Sequence, residues 1–158
     1  MRASVSELLP PEQINLDLQA STEVEAITVV ASQLRENPWV KDFDAFCHEL
    51  FSREKLSPTA LGNGVAFPHA RTDSVSQLVM AVGRSREGIW FQNCPEKVHL
   101  VFVIGTPTDA IRDYLGLLAT LAVQLRQAAI REELMNVNTP EEFLEILCRG
   151  AATGTARR

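Results

Sequence analysis

The sequence predicts an α/β sandwich built around a mixed sheet. Two compact apolar runs rich in valine, Leu78–Val82 and Val98–Ile104, are typical of central strands that are buried on both faces. The segments before and after them carry apolar residues at spacings of three and four, with helix-capping residues in front. Because helical and strand patterns alternate irregularly, without repeats or low-complexity tracts, we expect one layered domain.

The first strand and the first helix are predicted near the N-terminus. Apolar residues alternate with polar ones at Ile14, Leu16 and Leu18, which is the pattern of a half-buried strand. Thr22 and Glu25 then form a capping-box pattern that opens a helix. This helix is expected to end at Asn37-Pro38 and to bury four apolar side chains: Val24, Ile27, Ala31 and Leu34.

A second helix is predicted after Asn37-Pro38. Its apolar face repeats every three or four positions and consists of Phe43, Phe46, Cys47, Leu50 and Phe51. We expect this helix to end between Arg53 and Leu56, because Ser57-Pro58 follows and proline restricts the residue before it. Two short strands, Val65–Pro68 and Gly88–Phe91, are predicted beside the central ones.

The C-terminal part is predicted to be helical. Thr106–Asp109 forms a turn and cap signal in front of one long helix, which a break near residues 136–138 ends. Thr139–Glu142 then combines a cap, an N-terminal proline and first-turn acids, and Gly150 is expected to close the helix that follows. Residues 1–150 are therefore interpreted as one domain and residues 151–158 as a flexible tail.

Composition narrows the function classes. The 158 residues are 46% apolar and carry a net charge of −5, which argues against a disordered chain and against broad binding to nucleic acid or anionic membranes. The apolar stretch Tyr114–Val123 is too short to span a bilayer, and the N-terminus does not resemble a signal peptide. Three scattered cysteines suit a reducing cytoplasm, and no spacing suggests a metal site.

One segment departs from the pattern of a scaffold. Residues 61–71 hold Gly62, Gly64, Pro68 and His69 around a short apolar run. Glycines that adopt positive φ can bring backbone N–H groups close to an anion. Pro68 holds the backbone before His69 extended. If one imidazole nitrogen donates to a carbonyl, the other keeps a free lone pair, which suits a nucleophile or a general base. On spacing alone, however, a single histidine after a strand is more often an ordinary loop or core residue than a functional one.

The run from Arg53 to Ala70, R-E-K-L-S-P-T-A-L-G-N-G-V-A-F-P-H-A, resembles a known phosphorylation-site signature. It is that of the mannitol/fructose-class (type 2) enzyme IIA of the bacterial phosphoenolpyruvate-dependent sugar phosphotransferase system, a class that includes the nitrogen-regulatory enzyme IIA. The resemblance covers roughly residues 6–148. It implies a mixed five-stranded sheet flanked by helices, without a cofactor. It also implies phosphorylation by the phosphocarrier HPr or its nitrogen-branch counterpart.

The resemblance assigns roles to individual residues. His69 matches the phospho-accepting histidine, with Nε2 as the expected acceptor, and Arg53 matches the arginine that supports the phosphoryl group. Thr59 and Asn63 would either donate hydrogen bonds to the phosphate or cap the loop, and the backbone of Gly64 would contribute an N–H group. Arg71 would attract an anion or remain an exposed rim charge.

The sequence departs from the family pattern at Tyr114. Many members carry a second histidine there, in an H-L-x-x-L-x-x-L-A pattern, whereas this chain reads Y-L-G-L-L-A-T-L-A. The tyrosine hydroxyl can still bond a phosphoryl oxygen, but it cannot become a cation near pH 7. His99 is interpreted as a structural histidine and His48 as a surface residue.

Two functions remain open. In the first, His69 takes a phosphoryl group from HPr and passes it to an enzyme IIB, as in sugar transport. In the second, the chain is a regulatory module that does not relay the group, and its partner proteins sense the state of His69. A hydrolase or nucleotide site is disfavoured because the sequence lacks a Walker lysine and a G-x-S-x-G elbow.

Overall fold

The computed structural model describes residues 4–56 and 59–156, which form one α/β domain. The helices of these residues are α1 (Val5–Leu8), α2 (Glu23–Ser32), α3 (Phe43–Leu56), α4 (Ile111–Leu125), α5 (Ala128–Asn136) and α6 (Pro140–Ala156), with a 3₁₀ turn at Pro11–Gln13. The strands are β1 (Ile14–Asn15), β2 (Ala60–Gly62), β3 (Val65–Ala66), β4 (His69–Arg71), β5 (Val79–Ile89) and β6 (Val98–Thr106).

The sheet is mixed and has the order β1-β5-β6-β3-β2, with β4 also paired to β6. Strands β3 and β4 both run parallel to β6 and lie end to end along it, since Val65 pairs with Leu100 and His69 with Ile104. Pro68 separates the two, and its carbonyl accepts the N–H of Ile104 at 3.0 Å. The sheet is therefore five strands wide, which confirms the predicted architecture.

Side chains alternate between the two faces of the central strands, and each face is covered by helices. Met80 and Phe102 belong to the apolar cluster that also contains residues of α4, α5 and α6. Ala81 and Val103 belong to the second cluster, which contains residues of α2 and α3. This alternation follows from the two-residue period of a strand. It confirms helices on both faces of the sheet.

Two predicted elements are wrong in their extent. The separate strand at Gly88–Phe91 does not form, because β5 runs unbroken to Ile89 and absorbs an irregularity between Arg84 and Ile89 in its pairing with β6. The single long helix after Thr106–Asp109 is divided in two, since Gln127 has extended backbone dihedrals and is the N-cap residue in front of α5. The carbonyl of Leu125 at the end of α4 accepts a hydrogen bond from the Arg131 side chain at 2.6 Å.

The end of α6 and the buried face of α2 also differ from the predictions. Gly150 does not close α6, which continues to Ala156, because one glycine costs a helix only about 1 kcal/mol. Val24 is 61% exposed rather than buried, since it lies roughly 90° around α2 from the centre of the buried face. Helix α3 ends at Leu56 as predicted. Ser57-Pro58 and residues 157–158 lie outside the described residues, and the flexible tail stays a prediction.

No helix within the described ranges is sufficiently long and apolar to cross a bilayer.

Candidate functional site

His69 begins β4, directly after Pro68, and its side chain is half-buried. Its Nδ1 lies 2.9 Å from the carbonyl oxygen of Phe67. A carbonyl only accepts hydrogen bonds, so Nδ1 carries the proton and Nε2 keeps the free lone pair of the neutral ring. The backbone before Pro68 is restricted to extended conformations, which holds this carbonyl in place. The local sequence thus fixes the tautomer of His69.

Burial lowers the pKa of His69 below its ordinary value of 6.5, the hydrogen bond to Phe67 opposes that shift, and the charge of Arg53 adds to the lowering. The lowered pKa keeps the imidazole neutral at pH 7. A neutral imidazole with an exposed lone pair is the nucleophilic form of histidine.

His69 opens onto a cleft of about 400 Å³. The side chains around it belong to α3, β4 and the first turn of α4, and the lining residues are Glu49, Arg53, His69, Ala70, Arg71, Ile111 and Tyr114. Among the described lining residues, two guanidinium groups and one carboxylate thus share the cleft. This combination leaves a net positive charge beside the nucleophile, which favours an anionic ligand.

Tyr114 packs directly against His69. The two ring centroids lie 5.2 Å apart, with an interplanar angle of 35°. Burial raises the pKa of the Tyr114 hydroxyl to about 12, although the charge of Arg53 opposes this shift. The hydroxyl therefore keeps its proton at neutral pH and is available as a hydrogen-bond donor.

Arg53 lies in the last turn of α3. Its charge lowers the pKa of both His69 and Tyr114, so the guanidinium is close to both rings. The structure therefore brings together His69 and Arg53, to which the resemblance gave the main roles, and Tyr114, at which the sequence departs from the family pattern.

Thr59 does not line the cleft, because its polar groups are bonded elsewhere. Its hydroxyl donates to Glu54 Oε1 at 2.8 Å and its N–H donates to Glu54 Oε2 at 3.3 Å. Its carbonyl accepts the N–H of Phe67 at 3.2 Å. Since Phe67 carries the carbonyl that holds His69, the structure favours the loop-capping alternative for Thr59 over direct contact with a phosphate.

Asn63 and Gly64 also lie away from His69. Val65 pairs with Leu100, whereas His69 pairs with Ile104, four residues farther along β6 and about 13 Å away at the rise of a strand. The positive φ angles of Gly62 (89°), Asn63 (59°) and Gly64 (76°) serve the tight hairpin between β2 and β3. The expectation that this turn cradles an anion beside His69 is not met.

The sequence interpretation missed two residues of the cleft wall, Glu49 and Ile111. Glu49 precedes Arg53 by one helical turn, so helical spacing alone could have placed both on one face of α3. Ile111 begins α4, and the residue before it is an alanine, which has no side chain to cap the helix. The first-turn N–H groups of α4 therefore lie at the cleft without a side-chain cap, in the way that suits an anion.

The other predicted polar residues have ordinary places. Arg71 is exposed and lines the rim of the cleft, and His48 is exposed on α3. His99 is half-buried, with Nδ1 at 2.8 Å from the carbonyl oxygen of Ser85. Thr108, which was part of the predicted cap signal, instead donates to Asp73 at 2.9 Å. Within the part of the chain that the structure describes, no group of three or more potential metal ligands occurs.

Glu54 supports the site indirectly, because it accepts two hydrogen bonds from Thr59, whose carbonyl in turn accepts the N–H of Phe67. Burial raises its pKa to about 7, and a hydrogen bond with the Glu23 side chain adds to the shift, whereas the two bonds from Thr59 oppose it. A carboxyl group whose pKa is raised by folding stabilises the fold when it is protonated. This contribution is present in full below the unfolded value of 4.5 and is lost as the pH rises through about 7.

Replacing Glu54 with glutamine should therefore remove one contribution to the pH dependence of stability. The lowered pKa of His69 contributes a slope of opposite sign that both proteins share, so the expected result is a difference: relative to the Glu54→Gln variant, the wild type loses unfolding free energy between about pH 5 and pH 8. Urea denaturation at several pH values measures this difference, with Glu145→Gln, an exposed carboxyl group on α6, as the control. Equal slopes in the wild type and the Glu54→Gln variant would contradict the assignment of the buried proton.

The family match and the similar proteins agree with one another. The family model described as "Phosphoenolpyruvate-dependent sugar phosphotransferase system, EIIA 2" matches residues 7–149. The PTS system fructose-specific EIIA component of Haloferax volcanii is 32% identical over 144 residues, which cover 90% of this chain and 94% of that protein. The fructose-specific EIIABC component of Bacillus subtilis is 28% identical over 144 residues, and the chain spans only 23% of its length.

Solved structures agree with this result. The nitrogen regulatory protein IIA-Ntr of Neisseria meningitidis superposes with a TM-score of 0.82 at 36% identity, and the match covers 89% of this chain and 97% of that one. Enzyme IIA-mannitol of Escherichia coli, solved in complex with phosphorylated enzyme IIB-mannitol, superposes with a TM-score of 0.77 at 26% identity. That match covers 89% of this chain and 99% of the other.

Proposed function

This chain belongs to the EIIA 2 family of the phosphoenolpyruvate-dependent sugar phosphotransferase system, and we propose that it is a phosphocarrier with His69 as acceptor. The donor is a phosphohistidine protein of the HPr type or its nitrogen-branch counterpart. The observation that carries this proposal is the 2.9 Å bond between His69 Nδ1 and the Phe67 carbonyl, which leaves the lone pair on Nε2. In the transfer, the P–N bond of the donor breaks and a P–Nε2 bond forms, with the electron pair returning to the donor imidazole.

Arg53 and Tyr114 are the stabilising groups in this proposal. Phosphoryl transfer passes through a loose transition state whose charge lies on three equatorial oxygens, so catalysis depends mainly on positioned donors. The Arg53 guanidinium and the protonated Tyr114 hydroxyl are the donors in this scheme, because the charge of Arg53 acts on both His69 and Tyr114 and the Tyr114 ring packs against the His69 ring. The first turn of α4 adds N–H groups on the same side.

No divalent cation is needed in this scheme, because a phosphoramidate donor is already activated. We further propose that the chain acts in the cytoplasm, where such donors occur and where its three free cysteines remain reduced.

The test is uptake of phosphate from a reconstituted donor chain. Protein incubated with enzyme I, HPr or its nitrogen-branch counterpart, and phosphoenolpyruvate is expected to gain one acid-labile, base-stable phosphate per chain. If neither donor labels the protein, the phosphocarrier proposal is wrong.

The phosphoryl group has two possible destinations. An enzyme IIB partner is supported by the mannitol enzyme IIA that was solved in complex with phosphorylated IIB. A regulatory role without relay is supported by the similarity to IIA-Ntr at 36% identity and by the tyrosine at position 114. A pull-down with wild-type and His69→Asp protein separates the two roles. Capture of enzyme IIB alone favours relay, whereas capture of other proteins that depends on residue 69 favours regulation.

Variants at Tyr114 test the contribution of its hydroxyl. The Tyr114→Phe variant keeps the ring contact with His69 but loses the donor, so transfer should slow by about 10-fold, the cost of one hydrogen bond to a charged group. The Tyr114→His variant introduces a group that can become a cation and should raise the rate. Rapid-quench kinetics with phosphorylated HPr measure both effects. Equal rates in all three proteins would show that the hydroxyl takes no part in transfer.

A further inference from the structure

Among the described residues that line the cleft, one is acidic, and the proposed transfer does not use it. Glu49 lies on α3, one turn before Arg53, and shares the cleft with His69 and Arg71. A carboxylate beside a phosphoryl site is unexpected on charge alone, since like charges repel. Its position therefore requires a physical explanation.

Glu49 is held in place by the loop that follows β4. The hydroxyl of Thr72 accepts the N–H of Ser74 at 2.9 Å, so its own proton is donated to Glu49 Oε1. The hydroxyl of Ser74 lies 3.5 Å from the same oxygen. Thr72 itself is only 2% exposed, and its N–H donates to the carbonyl of Thr106 at 2.8 Å. Glu49 thus accepts hydrogen bonds from a loop residue that is itself buried and bonded to the end of β6.

A phosphoryl group on His69 would lie within reach of this charge. His69 and Glu49 line the same cleft, and salt, which screens exposed charges over ~10 Å, screens partly buried charges much less. The carboxylate therefore opposes the attraction that Arg53 and Arg71 exert on a bound phosphoryl group. Without the charge of Glu49, the cleft would bind inorganic phosphate more tightly and would stabilise the phosphoryl group on His69.

We propose that the negative charge of Glu49 shortens the retention of the phosphoryl group on His69 and lowers the affinity of the cleft for free phosphate. Arg53 makes the site attractive enough to receive the group, and Glu49 limits how strongly the group is retained. The part of this inference that concerns phosphohistidine rests on the proposed function, whereas the exclusion of free phosphate does not.

Three variants separate the charge of Glu49 from its structural role. The Glu49→Gln variant removes the charge and keeps the oxygen that accepts from Thr72. The Glu49→Asp variant keeps the charge but shortens the side chain and weakens that bond. The Asp44→Asn variant is the control, because Asp44 is an exposed residue of α3 about 140° around the helix from Glu49.

The first measurement uses inorganic phosphate and unphosphorylated protein. Binding is followed by the NMR shifts of the His69 ring at low and high ionic strength. Glu49→Gln is expected to bind phosphate about five-fold more tightly than wild type at low salt, with a smaller gain at high salt. Glu49→Asp and Asp44→Asn should bind as wild type does. Equal affinity in Glu49→Gln and wild type, or tighter binding in Glu49→Asp as well, would overturn the proposal.

The second measurement is the lifetime of the phosphoryl group after the donor is removed. Glu49→Gln should retain the group about five-fold longer than wild type, whereas the other two variants should match wild type. Equal lifetimes would overturn the role of Glu49 in releasing the group. If no variant takes phosphate from the donor, the proposed function fails, and the titration with inorganic phosphate still decides whether Glu49 repels the anion.

Discussion

Replacement of His69 by alanine is expected to abolish phosphoryl uptake completely, because none of the other described residues of the cleft combines a free lone pair with a neutral ring at pH 7. Burial keeps the pKa of His69 low, and the Phe67 carbonyl holds the proton on Nδ1. The lost step is formation of the P–Nε2 bond, which Arg53 and Tyr114 assist but cannot replace. The measurement is the amount of acid-labile phosphate per chain after incubation with the phosphorylated donor.

His99 provides a matched control for this variant. Its Nδ1 lies 2.8 Å from a backbone carbonyl, as that of His69 does, so its ring presents the same tautomer. It is near the hairpin turn at Gly64, however, and away from the cleft. His99→Ala should therefore accept phosphate normally. Labelling that survives in His69→Ala, or that disappears in His99→Ala alone, would contradict the assignment.

The Arg53→Ala variant is expected to slow transfer by about 100-fold, which corresponds to the ~2–3 kcal/mol typical of one stabilising donor in a preorganised site. The guanidinium can bond two oxygens of the transferring group at once, whereas an ammonium group provides only a point charge. Arg53→Lys should therefore recover only part of the rate. Rapid-quench measurements with phosphorylated HPr provide the rate constants.

The same variant has a second readout that does not depend on transfer. The charge of Arg53 lowers the pKa of His69, so its removal should raise the pKa of the imidazole in an NMR titration. Arg71→Ala, at the exposed rim of the cleft, is the comparison and should slow transfer less. Unchanged kinetics together with an unchanged His69 pKa would show that Arg53 does not act on the site.

The features that could be predicted most accurately from the sequence are those that the local covalent structure determines. Pro68 restricts its neighbour Phe67, and Phe67 carries the carbonyl that orients His69, so three consecutive residues define the nucleophile. The apolar runs of β5 and β6 can likewise be recognised as strands from the sequence, because strands covered on both faces are continuously apolar. Arg53 and Tyr114 could be assigned only through the family resemblance, since their proximity to His69 depends on how α3 and α4 pack against the sheet.

The remaining part of the site could not be read from spacing along the chain. Asn63 and Gly64 are near His69 in sequence, but a strand advances about 3.3 Å per residue and carries them to the opposite end of β6. Their positive φ angles serve the hairpin instead. Glu49 is farther away in sequence and nevertheless lines the cleft, because helix α3 returns it to the His69 end of the sheet.

The acceptor atom is the central claim, and nitrogen NMR of the phosphorylated protein labelled with ¹⁵N-histidine tests it most directly. Phosphorus coupling and the ring shifts distinguish the two nitrogens of the modified imidazole. The bond between Nδ1 and the Phe67 carbonyl predicts phosphate on Nε2 of His69, with Nδ1 still protonated. Phosphate on Nδ1, or on a residue other than His69, would contradict the account.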